Sequence, residues 1–179
     1  HYNVKELISQ FKTHVWSIME VHNGGIFHSS NYLLEKFDSA QRHFLERISV
    51  DENTAFIEHN FAPPSLRRNI GILGLLQKRV LGISPPIFQK LLPFHADVFG
   101  SLRPGEHNRQ LYGHILDVRL QHSLHSRSVF GIVYVYNGLP QTVVDCASVS
   151  SFQTSLTAMA RKRCRDGDPN WMHVFSSRV

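Results

Sequence analysis

Asn137-Gly138 followed at once by Leu139-Pro140 constrains this chain more than any other feature. Ile132 to Tyr136, just upstream, is β-branched and aromatic, and Asn-Gly after such a run is the strongest short hairpin signal. A proline two residues past the turn, however, removes a ladder donor where the partner strand should start. A helix from about Ser128 to Asn137 accommodates the same residues, with Gly138 as its left-handed C′ residue and Pro140 beyond. Ser148 then caps a further helix with Val149, Phe152, Leu156, Met159 and Ala160 on one face. Residues 126–156 are therefore expected to be helix, break, helix.

The same periodicity runs through the N-terminal half. Val4, Leu7, Ile8, Phe11, Val15, Ile18 and Met19 recur at helical spacing over residues 3–22, and Asn23-Gly24-Gly25 should stop that helix. A second helix is expected over about 30–48. Ser29 or Ser30 is its cap, and Leu33, Leu34, Phe37, Phe44, Leu45 and Ile48 form its face. Asp51 or Thr54 opens a short helix through Glu58. After Ala62-Pro63-Pro64-Ser65, an apolar stripe of Leu66, Ile70, Leu73, Leu76, Val80 and Leu81 predicts a helix ended by Gly82 and Pro85-Pro86. Pro86 can begin another short helix to Leu92. Residues 93–109, with Pro93, Gly100, Pro104 and Gly105, predict a loop. Ile115, Val118 and Leu120 alternate too briefly to settle whether 110–125 holds a short β segment. The expected fold is thus mostly all-α: an irregular multi-helix bundle of roughly six to seven helices by periodicity. Its segments would be 1–92, a loop-rich connector 93–125, and 126–179, together one compact unit.

A hydrophobic content of 42% across 179 residues supplies a core and argues against disorder. The net charge of +5 favours a polyanionic partner. Cys146 and Cys164 form no C-x-x-C, which excludes a zinc ribbon and predicts two reduced thiols in an intracellular protein, nuclear or cytoplasmic. There is no apolar run long enough for a membrane span, and no signal peptide opens the chain. The first residue is His1, so the chain is expected to begin within a longer protein.

Among twelve histidines, His114, His122 and His125 come closest to a cluster, but they lack the His pair at i, i+4 with an intervening acid that a helical zinc site uses. Asp166 and Asp168 sit in Asp-Gly-Asp-Pro, a turn composition. No G-x-S-x-G, P-loop or H-E-x-x-H occurs. Gly71 and Gly74 fit close helix packing. Arg161-Lys162-Arg163-Cys164-Arg165 is the dense basic run; it suits a helix C-terminus, a nucleic-acid contact or a nuclear-import signal. Arg67 and Arg68 lie in the first turn of their helix, where positive charge opposes the dipole, so each should face a carboxylate or a phosphate.

Taken in order, these segments resemble the region after the polymerase core in LINE-type (non-LTR) retrotransposon reverse transcriptases. Residues 13–48 resemble the family's block in which a helix with an aromatic precedes a "leucine, aspartate, glutamine" helix, with Leu34, Asp38 and Gln41 in those places. Residues 61–94 resemble the block of proline, paired arginines and an apolar helix ending in glycine and proline, Arg67 and Arg68 being the pair. Arg127, Ser128, Asn137, Leu139, Pro140, Val143, Val144, Ser148, Val149 and Phe152 resemble the last block, and residues 170–178 the tail of such reading frames.

The resemblance implies an RNA-directed DNA polymerase as parent protein, but that chemistry needs two divalent ions held by palm aspartates. The family carries them in an aromatic-x-Asp-Asp hairpin, and no Asp-Asp pair occurs here. The chain is therefore expected to be non-catalytic and cofactor-free, with magnesium belonging to the absent palm. It would act as a thumb-like platform gripping RNA or RNA–DNA template–primer, beside the upstream palm and fingers of the same polyprotein. Phosphate contacts of that kind position without reading sequence. The candidates, chosen on charge, are Arg67, Arg68, Lys78, Arg79, Arg161, Lys162, Arg163 and Arg165. The alternatives are a helical protein-interaction module, a decayed remnant without activity and, more remotely, a metal-dependent hydrolase using the histidines.

Overall fold

In a computed structural model, residues 2–21, 23–104, 107–113 and 125–178 are described. The chain is 67% helical with no strand or sheet among the described residues, which makes it all-α as expected. Two compact units partition it: His1–Arg68 with Met159–Val174, and Asn69–Ala158 with Phe175–Val179. The unit boundaries fall inside the Pro64–Val80 and Val149–Arg165 helices.

In the first unit, Asn3 and Glu6 form a reciprocal capping box that starts the Val4–Phe11 helix, each backbone N–H meeting the other's side-chain oxygen at 2.9 Å. A π-helical turn, Lys12–Trp16, follows, and the α-helix resumes over Ser17–Glu20. The wider turn re-phases the helix. Met19 stays buried, whereas Ile18, expected on the apolar face, is 74% exposed. Asn23-Gly24-Gly25 does not simply stop the chain but forms a short helix, Asn23–Ile26. Ser30 caps Asn31–Arg47, and Asp51 caps Glu52–His59 by accepting from the Thr54 N–H. Leu33 of the expected face is exposed.

The core of this unit gathers Ile8, Phe11, Met19, Leu45, Ala55 and Phe61, with Val15, Trp16, Phe37 and Phe44 packed against it. Its rings interlock: Phe11 meets Phe44 at 4.4 Å, and Trp16 stacks on Phe61 at 4.9 Å. Phe56 stacks on Trp171, whose indole N–H donates to Asn53 Oδ1.

In the second unit the stretch around Asn137-Gly138 is helical. Ser128 caps Val129–Asn137 by accepting from the Gly131 N–H. Gly138 departs from expectation: its φ is −83°, not left-handed. The Leu139 N–H bonds back to the Tyr136 carbonyl, so the chain leaves through a tight turn that needs no positive φ. Pro140 then precedes a further short helix, Gln141–Val144, and Ser148 Oγ accepts from the Ser151 N–H at the start of Val149–Arg165. Gly131 has to be a glycine, because a Cβ there would lie 2.5 Å from the His125 carbonyl oxygen. Gly74 likewise packs closely, against Gln153 and Val149, whereas Gly71 has no neighbour that a Cβ would meet.

Two buried amides organise this unit. Gln77 donates to the Val144 and Cys146 carbonyls and accepts from the Tyr136 hydroxyl at 2.7 Å. Asn137 bonds both the N–H and the carbonyl of Leu111, at 2.9 and 2.8 Å. The expected 93–109 loop contains a helix, His95–Phe99, and its ends are drawn together by an isolated bridge between Phe94 and Leu111. The undecided β segment at Ile115, Val118 and Leu120 lies outside the described residues.

Candidate nucleic-acid interface

The eight cationic candidates separate into two kinds. Arg68 is 4% exposed and grips Asp38 with both guanidinium nitrogens, at 2.5 and 2.7 Å. Asp38 lies on Asn31–Arg47, so two of the segments quoted above meet through this bidentate pair. Arg67 Nη1 lies 2.9 Å from Glu20 Oε1, and its guanidinium covers the Trp16 ring at 3.5 Å. Burial pushes Arg67 down to about 10, with Glu20 opposing the shift, and it remains cationic at neutral pH. The structure gives Arg68 a bidentate carboxylate, whereas Arg67 has a carboxylate nearby that makes no hydrogen bond to it. Arg79 is buried too. Its Nε donates to the Leu92 carbonyl at 2.9 Å, and its guanidinium stacks on Phe94. The Arg68 and Arg79 guanidinium groups are committed inside the protein, whereas Arg67 Nε and Nη1 are buried without a hydrogen-bond acceptor.

The others reach solvent. Lys78 is exposed. Lys162, Arg163 and Arg165 are exposed on the last turns of Val149–Arg165. Among the described residues only Arg163 of these has a carboxylate near it, Asp168 at 3.4 Å, and Asp168 also accepts from the Asn170 N–H in the turn after Gly167. Arg161, one residue earlier, is half-buried; it donates to Asn60 Oδ1 and lies over Phe56. The charged run is thus three solvent-facing cations and one anchored arginine. Cations at a helix C-terminus complement its dipole.

Charge runs do not single out Lys12 of the π-helical turn. Its ammonium donates to the His59 carbonyl at 2.6 Å and lies 5.4 Å from the Trp16 centroid. Burial, then Arg67 and Arg161, push Lys12 below the usual lysine range. The signal that could have found it is Lys12-x-x-x-Trp16, a cation–aromatic pair at i, i+4.

Cys164 interrupts the basic run yet is 5% exposed, and burial raises its thiol, which keeps it protonated and unreactive. Cys146 is half-buried, and both cysteines are free. A thiol reagent should accordingly label Cys146 of the native chain well before Cys164; equal labelling rates would show that the first unit opens readily.

Among the described residues no group of three or more His, Cys, Asp or Glu side chains could hold a metal ion. His114 and His122 lie outside them. No helix among the described residues is long and apolar enough to cross a membrane. No protein-family model, curated protein or solved structure matches the chain.

Proposed function

We propose that this chain is a non-catalytic nucleic-acid-holding segment, the post-palm, thumb-like part of a LINE-type reverse transcriptase polyprotein. The observation that carries the reading is the solvent-facing end of Val149–Arg165, where Lys162 and Arg165 have no carboxylate within ion-pair distance among the described residues and Arg163 has one weak partner. Three exposed cations on a helix end can neutralise successive backbone phosphates without reading bases. The ordered blocks quoted above supply the family part of the proposal. Their named residues Asp38, Arg68 and Asn137 tie the chain to itself, which makes them marks of a fold and leaves contact with nucleic acid to the exposed cations.

Fluorescence anisotropy against an RNA–DNA hybrid tests this, with a Lys162→Gln, Arg163→Gln, Arg165→Gln variant beside the unchanged chain. Three phosphate contacts should weaken binding about 40-fold between about 50 mM and about 200 mM salt, and the variant should lose most of that slope. A chain that is folded by circular dichroism but does not bind at the lower salt, or a variant that binds equally well, would overturn the reading.

A second reading, a protein-interaction module, draws on the second unit. Ile83, Ile87, Leu91, Val98, Phe99 and Leu102 are all 42% exposed or more within twenty residues of chain. A cavity of about 510 Å³ lined by Val80, Leu81, Phe94, Leu102 and Arg109 lies in the same unit.

A further inference from the structure

We propose that Lys12, Arg67 and Arg161 of the first unit form a binding site for a single phosphate group. Three cations from three separate helices meet here: Lys12 and Arg67 both lie against the Trp16 ring, and Lys12 donates to the His59 carbonyl while Arg161 donates to Oδ1 of the next residue, Asn60. Among the described residues Glu20 alone pairs with these three cations; its own side chain is 42% exposed, and the neighbouring Asp38 is already engaged by Arg68.

The donors are also incompletely used. Arg67 Nε and Arg161 Nε are buried and have no hydrogen-bond acceptor. Arg67 Nη1, although near Glu20, is out of hydrogen-bond alignment with it and equally lacks an acceptor. Buried N–H groups are almost always paired in folded proteins, so unpaired charged donors on Arg67 and Arg161, either side of Lys12, point to an absent acceptor. An apolar molecule would leave them unpaired, and a cation would be repelled. A tetrahedral oxyanion supplies several acceptor oxygens and close to two negative charges, and planar guanidinium groups match it geometrically. Burial lowers Lys12 first and repulsion from Arg67 and Arg161 adds to it; that added repulsion is what such an anion would relieve. The π-helical turn places Lys12 and Trp16 together here, and turns of this type recur at functional sites.

The site differs from the exposed helix end, which contributes no residue to it, so the two proposals can fail separately. The phosphate could belong to a nucleic-acid backbone or be a free phosphate or phosphomonoester; the chemistry of recognition is shared.

The test uses the full chain with inorganic phosphate against chloride at matched ionic strength. Thermal unfolding in phosphate at about ten times its Kd should rise by roughly 3–6 °C. Calorimetric titration should show one site, weakened about tenfold or more by Lys12→Met and by Arg161→Gln. The Lys162→Gln, Arg163→Gln, Arg165→Gln variant should bind phosphate as the unchanged chain does. Lys12→Met keeps the apolar stem over Trp16, and Arg161 is half-exposed, so at least one of the two variants should fold; far-UV circular dichroism confirms which. No phosphate-specific stabilisation, or equal binding by the folded Lys12 and Arg161 variants, would overturn the site. If phosphate also displaces a labelled RNA–DNA hybrid, the site takes a backbone phosphate; if the hybrid stays bound, it takes a free one. Either result presupposes the site.

Discussion

Asp38→Ala should destabilise the chain by about 3–5 kcal/mol, because it leaves the buried Arg68 guanidinium without its carboxylate. The size follows from burial: the Arg68 side chain is 5% exposed and that of Asp38 18%, so water cannot replace the lost partner. The pair itself need not be strongly stabilising, since desolvating two charges offsets much of their attraction. That distinction gives the sharper experiment. A double variant, Asp38→Ala with Arg68→Met, removes the uncompensated charge and should recover most of the loss in chemical denaturation, although each position is altered. If Asp38→Ala alone costs less than about 1 kcal/mol, Arg68 finds another partner or turns to solvent, and its exclusion from the nucleic-acid face fails with it.

Asn137→Ala should cost about 2–5 kcal/mol, since it orphans both the N–H and the carbonyl of Leu111. Leu111 is fully buried and Asn137 is 4% exposed, so both backbone groups would lose a partner that water cannot supply. The effect should be local as well as global. The Leu111 amide, protected from hydrogen exchange in the unchanged chain, should exchange rapidly in the variant, because it loses its own acceptor on Val129–Asn137, while the His107 bond to the Tyr136 carbonyl still ties the rest of the turn between Pro93 and Tyr112 to the helix. A Leu111 amide that stays protected in the variant would mean that the Phe94–Leu111 bridge holds that turn without Asn137.

The helices themselves were legible because their signals are local. Ser30, Asp51, Ser128 and Ser148 each accept a backbone N–H at a helix start, as short polar side chains before an apolar stripe should. Pro140 decided helix against hairpin for the same reason: a missing N–H is a property of one residue and needs no neighbour in space. Gly138 shows the limit of that reasoning. A glycine after a helix permits a left-handed cap without requiring one, and the bond from Leu139 to Tyr136 takes the other exit.

Charge alone was a poor guide to the interface, because net charge is insensitive to burial. Arg67, Arg68 and Arg79 look like Lys162, Arg163 and Arg165 in the sequence. They differ in having Glu20, Asp38 and the Leu92 carbonyl beside them, and two of those partners lie more than a helix away along the chain. The first-turn conflict with the helix dipole did announce that Arg67 and Arg68 required an anion, but which anion depended on where Glu20 and Asp38 came to rest. Lys12 was invisible for the complementary reason. It is a single lysine whose significance comes from Arg67, Arg161 and Trp16, gathered from three helices. That the chain is helical, and where most helices begin, could be read from residue order, since caps, prolines and apolar period act within a few residues. Which cations face water and which are neutralised inside came only with the fold, since electrostatic environment is set by neighbours distant in the chain.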